Sequence, residues 1–120
     1  MKNFKHISTD YLDEISDGSD DLVQDLIEMF INQVPVFTEQ LDNLYQSGDY
    51  ILLGKLAHKI KSSVAMMGIK ELTADMKTLE LVAKDGKETE KYPVFISRFK
   101  TISSEAIIEL NDILINLKQK

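Results

Sequence analysis

The chain has 120 residues, of which 43% are hydrophobic, and a net charge of −6. This is enough for one domain with a real core, and too little for two. With no Cys, disulfides, thiolate metal sites and thiol catalysis are excluded. The acidic balance argues against nucleic acid as the main partner, because phosphate backbones favour Lys/Arg surfaces. No stretch approaches the ~20 apolar residues of a membrane span. The first residues carry no long apolar run, so a signal peptide is not expected.

Five Gly and two Pro in the whole chain leave few turns, which points to a few long helices. Residues 1–18 read as a short lead-in that packs on the main body through Phe4, Ile7, Tyr11, Leu12 and Ile15, with Thr9 or Asp10 as its cap. Ser19 is a suitable N-cap for the next element, and Asp20 and Asp21 suit its first turn. From Asp20 to Ser47 the apolar residues Val23, Leu26, Ile27, Phe30, Val34, Phe37, Leu41 and Leu44 keep helical spacing. Pro35 interrupts the run, but the apolar face continues in phase across it, so one kinked helix is predicted.

Gly48 is placed to end that helix and Asp49 to cap the next, from about Tyr50 to Met67. A third helix is predicted from about Lys70 to Lys84, with Ile69, Leu72, Met76, Leu79 and Ala83 inward, closed by Asp85-Gly86. Thr89 is the expected cap of a last long helix, with Pro93 near its start. Phe95, Phe99, Ile102, Ala106, Leu110, Ile113 and Leu117 form its core face. Short links favour antiparallel neighbours. The expected fold is all-α: an up-down antiparallel four-helix bundle over residues 19–120, with the lead-in helix of residues 1–18 packed on it.

The chemistry is concentrated on the second long helix. At about 100° per residue, Leu53, Leu56, Ala57, Ile60, Val64 and Met67 share one side, which is the core. His58 falls on the opposite, water-facing side. Gly54, Lys55, Lys61, Ser62 and Ala65 are its neighbours there, with Ile51 a little further off. Gly54 and Ser62 are small and would let another protein approach closely. Lys55 and Lys61 are placed to stabilise an anion on the ring, most simply a phosphoryl group. Imidazole suits that task, being largely neutral and nucleophilic at cell pH. The chain shows no nucleotide-binding loop and no carboxylate cluster for Mg²⁺. By itself, an exposed His flanked by Lys is an ordinary solvated helix face. The other histidine, His6, lies near the terminus without a partner motif and reads as a surface residue. Met67 reads as core and Met66 as edge packing, and the four Tyr show no shared spacing.

The run Ala57-His58-Lys59-Ile60-Lys61-Ser62-Ser63-Val64-Ala65-Met66-Met67-Gly68 resembles the motif of histidine-containing phosphotransfer (HPt) domains, A-H-x-L-K-G-x-[AS]-x-x-[LM]-G with a Leu four residues later, here Leu72. The likeness extends over about residues 20–118: the Pro35-containing helix, the Ser47-Gly48-Asp49 link, and Leu79-Glu80 followed by Asp85-Gly86. The resemblance implies a bundle whose exposed His accepts a phosphoryl group from a receiver-domain aspartyl phosphate and passes it to a second receiver. By position His58 matches the phosphorylated His and Lys61 the Lys beside the phosphoryl group. Ile60 replaces the usual Leu, a volume-conserving core change. Ser62 replaces the usual Gly and adds a hydroxyl beside His58, a departure that bears on partner affinity.

The expected partners are response-regulator receiver domains and a sensor histidine kinase, which can be a hybrid kinase. The docking contacts are expected from Ile51, Gly54, Lys55, Ser62 and Ala65. The chain is expected to hold no metal or cofactor of its own, the receiver supplying Mg²⁺. It is expected to be a cytoplasmic monomer, not an enzyme with an ATP site, and to bind neither nucleic acid nor membrane. Two other readings differ in chemistry: an interaction module that binds receivers or kinases without carrying phosphate, and a small phosphoryl hydrolase, for which no base or metal set is visible.

Overall fold

A computed structural model describes residues 4–119; residues 1–3 of the expected lead-in and Lys120 lie outside the described residues. The helices are α1 (Asp10–Ser16), α2 (Asp20–Ser47), α3 (Tyr50–Met66), α4 (Lys70–Lys84) and α5 (Tyr92–Lys118), with a 3-10 turn at Thr89–Lys91 before the last. Local chemistry sets the boundaries. The Ser19 side chain accepts the Leu22 N–H, and Asp49 accepts the Leu52 N–H, each satisfying a donor that the first turn leaves free. Gly48 ends α2 at φ 73° with its N–H returned to the α2 carbonyls, a conformation that favours Gly. Pro35 sits inside α2, which runs through it as one helix.

The expected four-helix bundle is the observed architecture. The ring runs α2, α3, α4, α5, and α5 returns against α2. The molecule measures 48 × 22 × 21 Å, a length set by α2 and α5, whose 28 and 27 residues span ~40 Å each at the ~1.5 Å rise of an α-helix. The core faces of α3 and α4 are as predicted: Leu53, Leu56, Ala57, Ile60, Val64 and Met67 from one, and Leu72, Met76, Leu79 and Ala83 from the other, are all buried. Phe30 and Phe37 from α2 and Phe99 from α5 fill the centre. The chain between α3 and α4 is the tight turn Met67-Gly68-Ile69, with Gly68 at φ 68°.

Five expectations of the fold are corrected. Thr89 does not cap α5: the chain makes a 3-10 turn there and α5 starts at Tyr92, with Pro93 in its first turn and no side-chain cap. The α5 core face is rotated slightly from the predicted one. Ile96 and Leu114 are buried, whereas Phe95, Ile113 and Leu117 are only partly so. Thr9 precedes α1 without making a cap bond to the backbone; its hydroxyl instead donates to Asp13. In the lead-in, Ile7 and Leu12 are buried, but Tyr11 and Ile15 remain exposed.

The fifth correction is the largest. His6 is not a surface residue: its side chain is 3% exposed. It sits between α4 and α5, with Nδ1 2.9 Å from Glu71 Oε1 and Nε2 2.9 Å from Glu105 Oε1. The two carboxylates explain the burial, since they replace the water that a polar ring gives up.

Tyr92 also does more than the sequence indicated. It is fully buried, and its hydroxyl lies 3.0 Å from the Val82 carbonyl and 2.6 Å from the Lys87 carbonyl. Tyr45 and Tyr50 meet its ring edge-on at 6.5 and 5.2 Å. The phenol therefore pins the end of α4 and the following turn to the start of α5. Tyr92→Phe leaves both carbonyls without this donor, and a loss of about 1–2 kcal/mol is expected, read as a lowered urea midpoint with unchanged slope.

Candidate functional site

His58 lies midway along α3, on the side away from the core, with 63% of its side chain exposed. Its backbone is held rigid by Ala57 and Ile60, both fully buried. Nδ1 lies 2.6 Å from Glu80 Oε2 on α4. The other oxygen of the same carboxylate, Oε1, accepts a hydrogen bond from Lys61 Nζ at 2.9 Å. Glu80 thus bridges the imidazole and the ammonium one turn further along α3. The Lys61 hydrogen bond, with help from His58, holds the Glu80 carboxyl below its usual range. This tie is in place above about pH 4.5 and is lost as pH falls through the depressed Glu80 value.

The bridge fixes the ring chemically. An ionised carboxylate only accepts hydrogen bonds, so Nδ1 carries the proton that faces Glu80. In the neutral ring the lone pair then belongs to Nε2. A groove between α3 and α4 surrounds the ring, lined by Ile51, Gly54, Lys55, Glu80 and Lys84. Three ammonium groups (Lys55, Lys61 and Lys84) stand around a single bridging carboxylate, which suits a site that receives an anion.

The predicted residues divide. Ile51, 65% exposed, and Lys55 line the His58 groove as expected. Ser62 and Ala65 are exposed on the same side of α3. Gly54 is corrected: it is buried, not water-facing. A Cβ there would lie 3.4 Å from the Glu80 carbonyl oxygen and the Lys84 amide nitrogen. The missing side chain lets the backbone of α4 come close, and that approach brings Glu80 to His58. Two residues were missed as members of the site. Glu80 lies 22 positions from His58 and Lys84 a further turn along α4; the only available signal was that both lie off the α4 core face. Met67 is buried and Met66 partly so.

Among the described residues no group of three His, Asp or Glu side chains is arranged to hold a metal ion, and no helix is long and apolar enough to cross a membrane. The arrangement is that of a helical bundle presenting an exposed imidazole, tied to Glu80, among cations. The chain belongs to the Hpt domain family, whose model matches residues 25–119. Membership assigns it a histidine phosphotransfer role in phosphorelay signalling, with receiver domains and kinases as the family's class of partner. Searches of curated proteins and of solved structures gave no significant match.

Proposed function

We propose that His58 is the phosphoryl carrier of a multistep His–Asp relay. The observation that carries this reading is the Glu80 bridge, which turns an ordinary exposed histidine into one with a defined donor side and a defined nucleophilic side. The Nε2 lone pair attacks the phosphorus of a receiver's aspartyl phosphate. The P–N bond forms as the P–O bond to the Asp carboxylate breaks, and that carboxylate leaves with the electron pair. The ring becomes a phosphorylated imidazolium that keeps its Nδ1 proton against Glu80, so the new positive charge faces a fixed negative one. Reversal of the same step onto a second receiver completes the relay.

Phosphoryl transfer of this kind depends mainly on positioning and charge neutralisation. Lys61, already beside the ring, is the proposed partner of the phosphoryl oxygens, with Lys55 and Lys84 at the groove edge. The receiver supplies Mg²⁺; the chain supplies no ATP site and acts as a carrier, not as a kinase. Ile51, Ser62 and Ala65 form the proposed receiver contact, with Gly54 as the groove floor. The protein works in the cytoplasm as a monomer, fed from a sensor kinase's receiver.

The test is transfer from a receiver charged on its Asp, followed as acid-labile, base-stable label. Glu80→Gln keeps the size of the side chain, but its amide holds the ring and Lys61 more weakly. Transfer is expected to slow roughly tenfold, about 1.4 kcal/mol of barrier, with receiver binding little changed. An unchanged transfer rate would remove Glu80 from the mechanism.

A further inference from the structure

The family match begins at residue 25, and the chain before it makes an interaction that phosphoryl transfer does not use. Residues 4–9 cross the end of the bundle where α3 turns into α4. The Ser8 N–H donates to the Met67 carbonyl at 3.2 Å, and Ser8 lies so close over Gly68 that a Cβ there would come within 2.4–2.7 Å of it. On the other side the backbone N–H groups of Lys5, His6 and Ile7 all donate to the Glu109 carboxylate, at 2.6–3.1 Å. The His6 ring is the buried anchor between these two attachments.

That anchor has an unusual hydrogen-bond requirement. Each ring nitrogen faces a carboxylate oxygen at 2.9 Å, Glu71 on α4 and Glu105 on α5. Carboxylates accept and do not donate, so only the imidazolium satisfies both contacts. The neutral ring would turn a lone pair towards one of the two oxygens, inside a site nearly closed to water. The other charged groups nearby are Glu109 beneath the backbone and Lys5, whose Nζ is 3.9 Å from Glu105. Arg98 on α5 pairs with Asp75 on α4 and is influenced by Glu71. Three carboxylates therefore surround the ring region, with the Lys5 ammonium near one of them.

We propose that residues 4–9 form a clasp that is closed while His6 is protonated and opens when it loses its proton to solvent. The clasp reaches the docking side of the molecule. Ser8 and Tyr11 form one wall of a groove whose other residues include Ala65, Gly68, Thr73 and Lys77. Ala65 lies two turns beyond His58 on α3. Opening the clasp removes that wall and uncovers the Gly68 turn, so the surface offered beside Ala65 changes with pH. Burial opposes the charged ring, but the hydrogen bonds it donates to Glu71 and Glu105 outweigh that, and the His6 pKa is raised. Closure is therefore complete below about pH 6.5 and is lost as pH rises from there through the raised His6 value.

The experiment is amide hydrogen exchange by NMR on the full chain from about pH 6 to 9, with each rate divided by that of the unstructured chain. The Ser8 N–H reports the clasp and the Ile60 N–H in α3 reports the bundle. In the wild type, protection of Ser8 is expected to fall about tenfold per pH unit between ~6.5 and the His6 value, and to be level outside that window. Ile60 is expected to keep the higher protection at every pH, because it exchanges only when the bundle itself opens. His6→Gln removes the fall; Glu105→Gln, which leaves the ring one carboxylate, makes it smaller and ends it at lower pH. Level Ser8 protection in the wild type, or the same fall in His6→Gln or Glu105→Gln, would overturn the proposal. Because the readout is docking of the clasp and not label on His58, its failure would leave the phosphocarrier reading standing.

Discussion

His58→Gln is expected to abolish phosphoryl transfer while leaving the bundle intact. The two halves of this expectation have separate causes. The side chain is 63% exposed and hydrogen-bonds Glu80, so its loss touches no core packing. Stability should stay within about 0.5 kcal/mol of wild type, as for other surface changes. The chemistry, by contrast, rests on a ring nitrogen with a free lone pair. Gln offers an amide whose nitrogen is not nucleophilic, and neither Lys61 nor Glu80 can take over a step in which P–N bond formation conserves the transfer potential. Label from a charged receiver should appear on wild type and fall to background on the variant, whose far-UV circular dichroism and melting are unchanged. A pure interaction module would bind the receiver equally well as wild type or variant, with label on neither.

Gly68→Ala is expected to have the largest effect on stability among single-methyl changes. Gly68 holds φ 68°, where a side chain costs roughly 1–2 kcal/mol. The added Cβ would also meet the backbone of Ser8 at 2.4 and 2.6 Å. Backbone cannot swing aside as the tip of a side chain can, so the residue 4–9 segment must lift. That movement uncovers Ile7, which is now 6% exposed. Together the two effects amount to about 3 kcal/mol, with the transfer of a buried Ile side chain as the second contribution. Urea unfolding should show the lower midpoint, and exchange at the Ser8 N–H should lose protection even at pH 6. By comparison, Gly54→Ala brings its Cβ only to 3.4 Å from α4 backbone atoms, near ordinary contact, and should be far milder.

The comparison of the two glycines shows what the sequence makes legible. Gly54 lies just before the motif and Gly68 at its end, and their types alone do not say which neighbour needs the space. Helix positions were readable because each depends on nearby residues: Ser19 and Asp49 cap the turns that follow them, and the α3 and α4 apolar faces repeat every three or four positions. The exposure of His58 follows from the same wheel. Glu80 did not follow, because meeting His58 requires the rotation of α4 about its own axis, set by packing across Gly54 and Ala83. His6 is the extreme case. Its partners lie 65 and 99 positions away, and a single histidine near a terminus carries no local pattern that announces burial. Tyr92 likewise found Tyr45 and Tyr50 only through the closure of the bundle.

The site's chemistry makes the two histidines of the chain opposites. His6 has both nitrogens committed to carboxylates in a nearly closed site, so it cannot attack a phosphoryl group without leaving its place. His58 has one nitrogen committed and the other facing solvent on a fixed helix. The most direct test of the account is to charge a receiver with phosphate on its Asp, transfer to the intact protein, and locate the phosphoryl group by ³¹P NMR and peptide mass spectrometry under alkaline conditions. The account predicts a single phosphohistidine, at Nε2 of His58. Label at His6, at Nδ1 of His58, or on no residue at all would contradict it.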